Sequence, residues 1–218
     1  MTVVVVATRS ADKLREIREM LAEAEGLEVL DLDGAGVVEL PEEAGVEVFD
    51  TFRDNALAKA RYYSRRSGRL TLADDSGLCV EALDGGPGVL SKRFSGRTDL
   101  SGLALDEANN ALLLDRLRDV PPERRGAQYV CAVALVDPDS QREATVQGTC
   151  DGLVLPAPQG SGGFGYDPLF FVPDQGATFG EIPPAIKNRI SHRAGAVRAA
   201  MEVLADPRHP AWKPAGAR

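Results

Sequence analysis

Arg69-Leu-Thr-Leu-Ala-Asp74-Asp75-Ser76-Gly77-Leu78 carries an apolar run into two adjacent carboxylates, a hydroxyl and a glycine. A second run, Leu78-Cys-Val-Glu-Ala-Leu83, follows with alternating character. Strand, sharp acidic turn, strand is the expected local structure, one that presents carboxylates at a sheet edge where a metal or a reacting water can be held. Aspartates also cap ordinary surface turns, so these residues do not fix a chemistry by themselves.

Working outward, Asp50 is placed to cap a helix running to about Ser67, with Phe52, Ala56, Leu57, Ala60 and Tyr63 inward and Gly68 closing it. Before it, Thr2 to Thr8 reads as a buried strand feeding a helix capped by Ser10, with Leu14, Ile17, Leu21 and Ala24 on one face and Gly26 at its end. A buried strand delivered to a helix N-terminus makes an anion site, because free N–H groups and the helix dipole point the same way, and Lys13 adds a charge one turn in. A capped helix with a solvated lysine fits the same residues. Ser10-x-x-Lys13 also matches the active-site pair of penicillin-binding enzymes, but the Lys-Thr-Gly and Ser-Asp-Asn that accompany it there are missing. Leu27 to Leu32 is a second strand, and Leu40-Pro41-Glu42-Glu43 a polar loop stiffened by its proline.

Beyond Leu83, Asp84-Gly85-Gly86-Pro87-Gly88 requires a tight turn, and Val89 to Phe94 reads as an extended basic piece. A helix is expected over about Leu105 to Arg118, then a hairpin of Ala127–Val136 and Arg142–Cys150, with Leu153–Leu155 extending the sheet. Gly160 to Gly165 contains a literal G-x-G-x-x-G, but an Asp-Pro and an aromatic strand follow where a dinucleotide-binding unit needs a helix, so that reading is rejected. What remains is a glycine arm carrying Phe164 and Tyr166, placed either to stack on a flat ring or to pack within the loop. Near the end, Lys187, Arg189, His192 and Arg193 crowd the start of a helix reaching about Leu204. Cations there run against the dipole preference, which points to a ligand.

The 218 residues, 44% hydrophobic and 27% charged, fit one globular domain or a two-lobed one. We expect the domain over 1–205 and a loose tail over 206–218. The longest early apolar run, Val3 to Ala7, neither spans a bilayer nor has the shape of a signal peptide, so no membrane partner is expected. Three cysteines without close spacing argue against a disulfide framework or a zinc site and for the cytoplasm. A net charge of −8 argues against nucleic-acid binding, while a small anionic ligand needs only a few convergent cations. With only five lysines in the chain, their positions carry information.

Taken together these motifs resemble the inosine-triphosphate pyrophosphatase family, over roughly Val3 to Leu204. The resemblance rests on Thr8…Lys13, Leu40-Pro41-Glu42-Glu43, Asp54-Asn55-Ala56 with Lys59-Ala60-Arg61, and Ala73-Asp-Asp-Ser-Gly-Leu78. It continues in Pro87-Gly88-Val-x-Ser91-x-Arg93, Gly162-Gly-Phe-Gly-Tyr-Asp-Pro168 and Lys187-x3-Ser191-His-Arg193. Two departures stand out: Arg9 and Ser10 replace the family's Gly-Asn, and Asp54 replaces a glutamate.

The resemblance implies an α/β fold, a long twisted mixed sheet flanked by helices, in two lobes with the active cleft between them, assembled as a homodimer. It implies Mg²⁺-dependent hydrolysis of non-standard purine nucleoside triphosphates (ITP, dITP, XTP) to monophosphate and pyrophosphate. Asp75 matches the general base, supported by Asp74, and Glu42 with Asp75 matches the metal ligands. Thr8, Arg9, Ser10, Ala11, Asp12 and Lys13 would cradle phosphates, Ser76 would bond the ligand, and Lys187 would neutralise the triphosphate. Phe164, Gly165, Tyr166 and Asp167 would sandwich the base, with His192 and Arg193, beside Ser191, reading its 6-oxo edge. A pyrophosphatase for modified pyrimidine nucleotides and a non-hydrolysing nucleotide sensor are the competing readings.

Overall fold

The computed structural model describes residues 1–22 and 24–216. The order of elements is β1 (Thr2–Val6), α1 (Ala11–Leu21), β2 (Leu27–Leu30), α2 (Phe52–Ser67), β3 (Thr71–Val80), α3 (Gly102–Arg116), β4 (Gly126–Asp137), β5 (Arg142–Val154), β6 (Phe170–Val172), β7 (Ala177–Thr178), α4 (Pro184–Ile190), α5 (His192–Ala205) and β8 (Lys213–Pro214). The strands form one mixed sheet in the order β2-β1-β3-β4-β5-β6-β7, with β8 added on β5. β1 pairs in parallel with β2 and β3, whereas β5–β6, β6–β7 and β5–β8 are antiparallel. This is the mixed, helix-flanked α/β sheet that the sequence reading expects.

The chain divides into two compact units. The first comprises Met1–Asp75, Cys131–Gly148 and His192 onward; the second comprises Ser76–Val130 and Thr149–Ser191. β3, β4 and β5 contribute residues to both.

In the first unit the valine-rich β1 is buried from Val4 to Val6, as suits a parallel strand covered on both faces. One core cluster takes Val4, Val6 and Leu72 against Ile17 and Leu21 of α1 and Ala196, Val197, Ala200 and Val203 of α5. Another takes Val5, Ala7 and Ala73 against Ala56, Ala60 and Tyr63 of α2. Successive strand residues therefore face α1 and α5, then α2, then α1 and α5 again. α5 lies so near β5 that a Cβ at Gly148 would collide with His192 O and Ala196 N. The second unit has its own core, with Leu78 and Val80 of β3, Leu113 and Leu117, Tyr129, Phe170 and Phe179.

Several local expectations are corrected. No turn interrupts Thr71–Val80: Asp74 and Asp75 sit inside one continuous strand. Both aspartates find polar partners on the helices, so the backbone need not bend to bring them to water. Thr51, not Asp50, caps α2, accepting from Asp54 N at 3.1 Å and donating to Asp54 Oδ2 at 2.7 Å. Gly68, at φ +64°, closes that helix as read. α1 ends at Ala22, short of Gly26. Gly88–Arg93 winds into a 3-10 helix instead of an extended piece, with Ser91 buried. The cationic stretch is two helices, not one start: Lys187 and Arg189 lie in the last turn of α4, where the dipole favours cations, and Ser191 is the extended residue at which α4 ends.

The stretch after Asp206, read as a loose tail, folds back through Gly216. Trp212 Nε1 donates to Val203 O at 3.0 Å, and β8 pairs with Arg142 and Glu143.

Candidate active site

In the first unit the polar residues gather around the two adjacent carboxylates of β3. Alternation sends Asp74 to the face shared with Leu72 and sends Asp75 to the face shared with Ala73. Asp74 is fully buried and meets cations from two helices, Lys13 Nζ at 2.9 Å and Arg193 Nε at 3.5 Å. Burial alone would raise its pKa, but Lys13, Lys59 and Arg193 outweigh burial and hold it below the ordinary range. Arg193 is itself buried and reaches Glu16 of α1 at 2.5 Å. Its position is therefore a buried ion cluster linking α1, β3 and α5.

Asp75 lives differently. It is half-buried, and Asn55 Nδ2 donates to its Oδ2 at 2.9 Å. Burial raises its pKa against the opposing pull of Lys13 and Lys59, with Glu47 adding to the rise. Asn55 is fixed in turn by both main-chain groups of Phe49, at 2.8 and 3.1 Å. Lys59, one turn along α2, pairs with Glu47 at 2.6 Å. Burial would lower its pKa, but Glu47, Asp74 and Asp75 raise it, so the ammonium stays charged. One carboxylate locked in its charged form beside one pushed towards neutrality is an arrangement that divides electrostatic and proton-transfer work.

Asn55, Lys59, Glu47 and Glu16 are absent from the sequence-based site. A signal for two of them existed. Asn55 and Lys59 are four residues apart on α2 and flank Ala56 and Ala60 on its buried face, where polar residues need a reason. Asp54, by contrast, is exposed and serves the cap.

Thr8 is buried and accepts from Ser10 N at 3.2 Å, and Ser10 caps α1 by accepting from Lys13 N at 3.4 Å. Ala11 and Asp12 open the helix, with Asp12 paired to Arg15 at 2.9 Å. Arg9 is turned to other work, bonding Glu43 through two nitrogens at 3.1 and 3.2 Å and Val37 O at 3.1 Å. Glu43 also accepts from Tyr63, Arg66 and Leu40 N; burial would raise its pKa, but Arg9 above all, then Tyr63 and Leu40 N, bring it down to about 2. Glu42 beside it is exposed, with Tyr62 Oη at 3.2 Å.

Glu42 and Asp75 offer only carboxylate oxygens, the donor chemistry a hard cation such as Mg²⁺ takes. Among the described residues no group of three or more His, Cys, Asp or Glu stands ready to hold a metal. Mg²⁺ needs only one or two carboxylates when phosphate supplies the rest, so the donor set fits it.

Ser76 follows Asp75 in β3, half-buried at the start of the second unit. In that unit the glycine arm is tightly held. Asp167 Oδ2 accepts from Phe164 N at 2.8 Å and from Lys187 Nζ at 2.5 Å. The Lys187 ammonium also lies 4.9 Å from the Phe164 ring centre and 5.4 Å from that of Phe179. Lys187 is thus brought to Phe164 and Asp167 and paired there. Phe164 is half-buried, but Tyr166 belongs to the core, its hydroxyl donating to Ser91 O at 2.8 Å. The arm does not display an exposed aromatic pair. Ser191 and His192 are both buried at the junction of α4 and α5.

The chain matches the Ham1 family over residues 4–203. It belongs to the Ham1 family. Its relatives in that family include the dITP/XTP pyrophosphatase of Frankia alni, 50% identical over 196 residues, or 89% of this chain and 93% of that protein. The dITP/XTP pyrophosphatase of Geobacter sulfurreducens is 48% identical over 197 residues, covering 90% and 94%. Among solved structures, a HAM1 protein from Coxiella burnetii superposes with a TM-score of 0.79 at 32% identity, covering 94% of this chain and 99% of that one. The nucleoside-triphosphatase / dITP/XTP pyrophosphatase of Mycobacterium abscessus gives 0.68 at 42% identity, covering 92% and 98%. The resemblance drawn from the motifs holds across almost the full Ham1 chain.

Proposed function

We propose that this Ham1-family chain hydrolyses non-standard purine nucleoside triphosphates, namely ITP, dITP and XTP, to the monophosphate and pyrophosphate. The observation that carries the reading is the unequal pair on β3, with Asp74 buried against Lys13 and Arg193 and Asp75 half-buried on the opposite face and oriented by Asn55. A general base must be reachable by the water it activates, and Asp75 is the less buried of the two carboxylates, whereas Asp74 is paired with Lys13 and Arg193. Asp75 takes the proton of the attacking water, while Asn55 fixes the carboxylate that receives it. Such an acid is what a non-hydrolysing sensor does not need.

Thr8, Ser10 and the first-turn N–H groups of Ala11 and Asp12 suit phosphate oxygens, with Lys13 as the neighbouring charge. Arg9 shapes this turn through Glu43. Ser76 adds a hydroxyl next to the base. Bound through Asp75 and Glu42 together with phosphate oxygens, Mg²⁺ would neutralise the triphosphate and polarise the scissile group. We assign Phe164, Gly165 and Asp167 to holding the purine ring, with Lys187 bracing Asp167, and Tyr166 to anchoring the arm. His192 with Ser191 is assigned to the 6-oxo edge, and Arg193 to holding Asp74.

Two further properties accompany this reading. All three cysteines are free, which supports the cytoplasm, and no described helix is long and apolar enough to cross a membrane. Val38, Leu40, Val48 and Phe49 expose apolar surface from a short span of chain, which supports a homodimer.

A nucleotide panel with Mg²⁺, scored separately for pyrophosphate and orthophosphate, tests the function. Pyrophosphate from ITP, dITP and XTP is expected, with kcat/KM for ITP at least ~10²-fold above ATP, because a site built around one polar edge leaves its own groups unpaired against the wrong one. Orthophosphate as the product, or equal efficiency with ATP, would overturn it.

A further inference from the structure

Two side chains of α3 grip the glycine arm at a single residue. Asp106 and Asn110 are four positions apart and share a face of the helix. Asp106 Oδ2 accepts from Gly165 N at 2.8 Å, and Asn110 Nδ2 donates to Gly165 O at 3.0 Å. The first bond fixes the peptide plane between Phe164 and Gly165; the second fixes the plane between Gly165 and Tyr166. Gly165 stands at φ +61°, and a Cβ there would meet nothing within 4 Å, so its backbone angle rather than crowding calls for glycine. Glycine is also the residue most able to leave such a conformation. On either side, Phe164 N is held by Asp167 and the Tyr166 hydroxyl by Ser91. With Asp106 and Asn110 engaged, the main chain that carries Phe164 is held on both sides of Gly165.

We propose that Asp106 and Asn110 are positioning residues that set the Phe164 ring for stacking on the purine base. The inference rests on the assignment of Phe164 to the base made above. Ordering the arm before the ligand arrives removes a cost from binding, so the effect belongs in KM rather than in the chemical step.

The test is a double-mutant cycle in steady-state ITP hydrolysis. Asn110→Ala and Asp106→Ala are each expected to raise KM about tenfold, a fraction of what one base–aromatic stack contributes, and to change kcat by less than about threefold. Phe164→Ala is expected to raise KM at least as much. In the Phe164→Ala background, Asn110→Ala should add less than about twofold, because residues acting through one another are not additive. Asp106→Asn keeps an acceptor oxygen and should recover most of the loss seen with Asp106→Ala. Asn110→Asp matches the volume and replaces the donor by an acceptor, so it should reproduce Asn110→Ala even where the smaller side chain weakens the fold.

An unchanged KM in Asn110→Asp, or a full tenfold rise from Asn110→Ala on top of Phe164→Ala, would overturn the inference. A Phe164→Ala enzyme with wild-type KM would instead remove the base assignment, and the inference with it.

Discussion

Asp74 and Asp75 are neighbours in one strand and experience opposite surroundings, which separates what their loss should do. Asp75→Asn removes the proposed base and a proposed metal ligand, so turnover should fall by at least ~10²–10⁴-fold. Its charge is disfavoured by the fold, since its pKa is raised, so the same change should leave stability within about 1 kcal/mol of wild type. Asp74→Asn instead strips a buried carboxylate from Lys13 and Arg193 and leaves uncompensated cations, a loss of about 3–5 kcal/mol. Urea unfolding and rate measurements on both variants check the split; a stable Asp74→Asn protein would dissolve the proposed ion cluster. The thiols offer an independent reading of burial. Cys131 is fully buried and its pKa is pushed up to about 12, chiefly by burial, so it should stay unlabelled by a thiol reagent at pH 8 until the protein unfolds. Mass mapping that finds native Cys131 labelled as fast as half-buried Cys79 would contradict its placement.

At the scale of elements, what was legible in the sequence was what obeys local rules. The valines of β1, the Ser10 cap and the Gly68 stop follow from propensity and backbone geometry, and all three stand where read. Asp74-Asp75 was misread as a turn because local chemistry favours aspartate there, whereas partners far along the chain, Lys13 and Arg193 on one face and Asn55 on the other, satisfy it within a strand. The break at Ser191 was hidden for a similar reason: nothing local ends α4 except one extended residue, buried together with the His192 and Arg193 that follow it. Gly148 illustrates packing that no local rule reveals. It lies in β5, where glycine weakens a strand, yet a Cβ there would collide with His192 O and Ala196 N of α5. Gly148→Ala should therefore push α5 outward and cost about 1–3 kcal/mol, in spite of alanine's better backbone entropy. A midpoint of chemical denaturation equal to wild type would show that α5 yields without cost.

Across the whole molecule, an acidic chain concentrates its few lysines. Of the five, Lys13 and Lys59 surround the β3 carboxylates in the first unit, and Lys187 pairs with Asp167 in the second, so most of the lysine charge is committed to carboxylates. That scarcity drew attention to the lysines in the sequence, whereas their pairing partners, such as Glu47, were indistinguishable from surface acids. In the tail expected over 206–218, of which 217 and 218 lie outside the described residues, the prolines argue for looseness and only Trp212 argues otherwise. In the fold Trp212 packs with the cluster of α1 and α5, and Arg142 lies over its ring at 5.2 Å. Lys213 and Pro214 pair with β5, where Glu143 also receives Gly216 N at 3.2 Å and Arg61 of α2 at 2.6 and 2.8 Å. These contacts tie the end of α5 to α2 through β5, and α5 carries Arg193, which faces Asp74. Ending the chain after Asp206 should lose the indole's burial and its hydrogen bond, about 2–3 kcal/mol in all. The hydrogen bonds of the described residues 207–216 go to Gln141, Arg142, Glu143, Val203, Asp206 and one another, and not to the proposed ligand residues. The ratio of ITP to ATP efficiency should therefore hold while the melting temperature drops. Trp212→Ala should reproduce most of that drop alone. A truncated protein as stable as the full chain would return the tail to the loose state its composition implies, and a changed ITP-to-ATP ratio would place it in recognition instead.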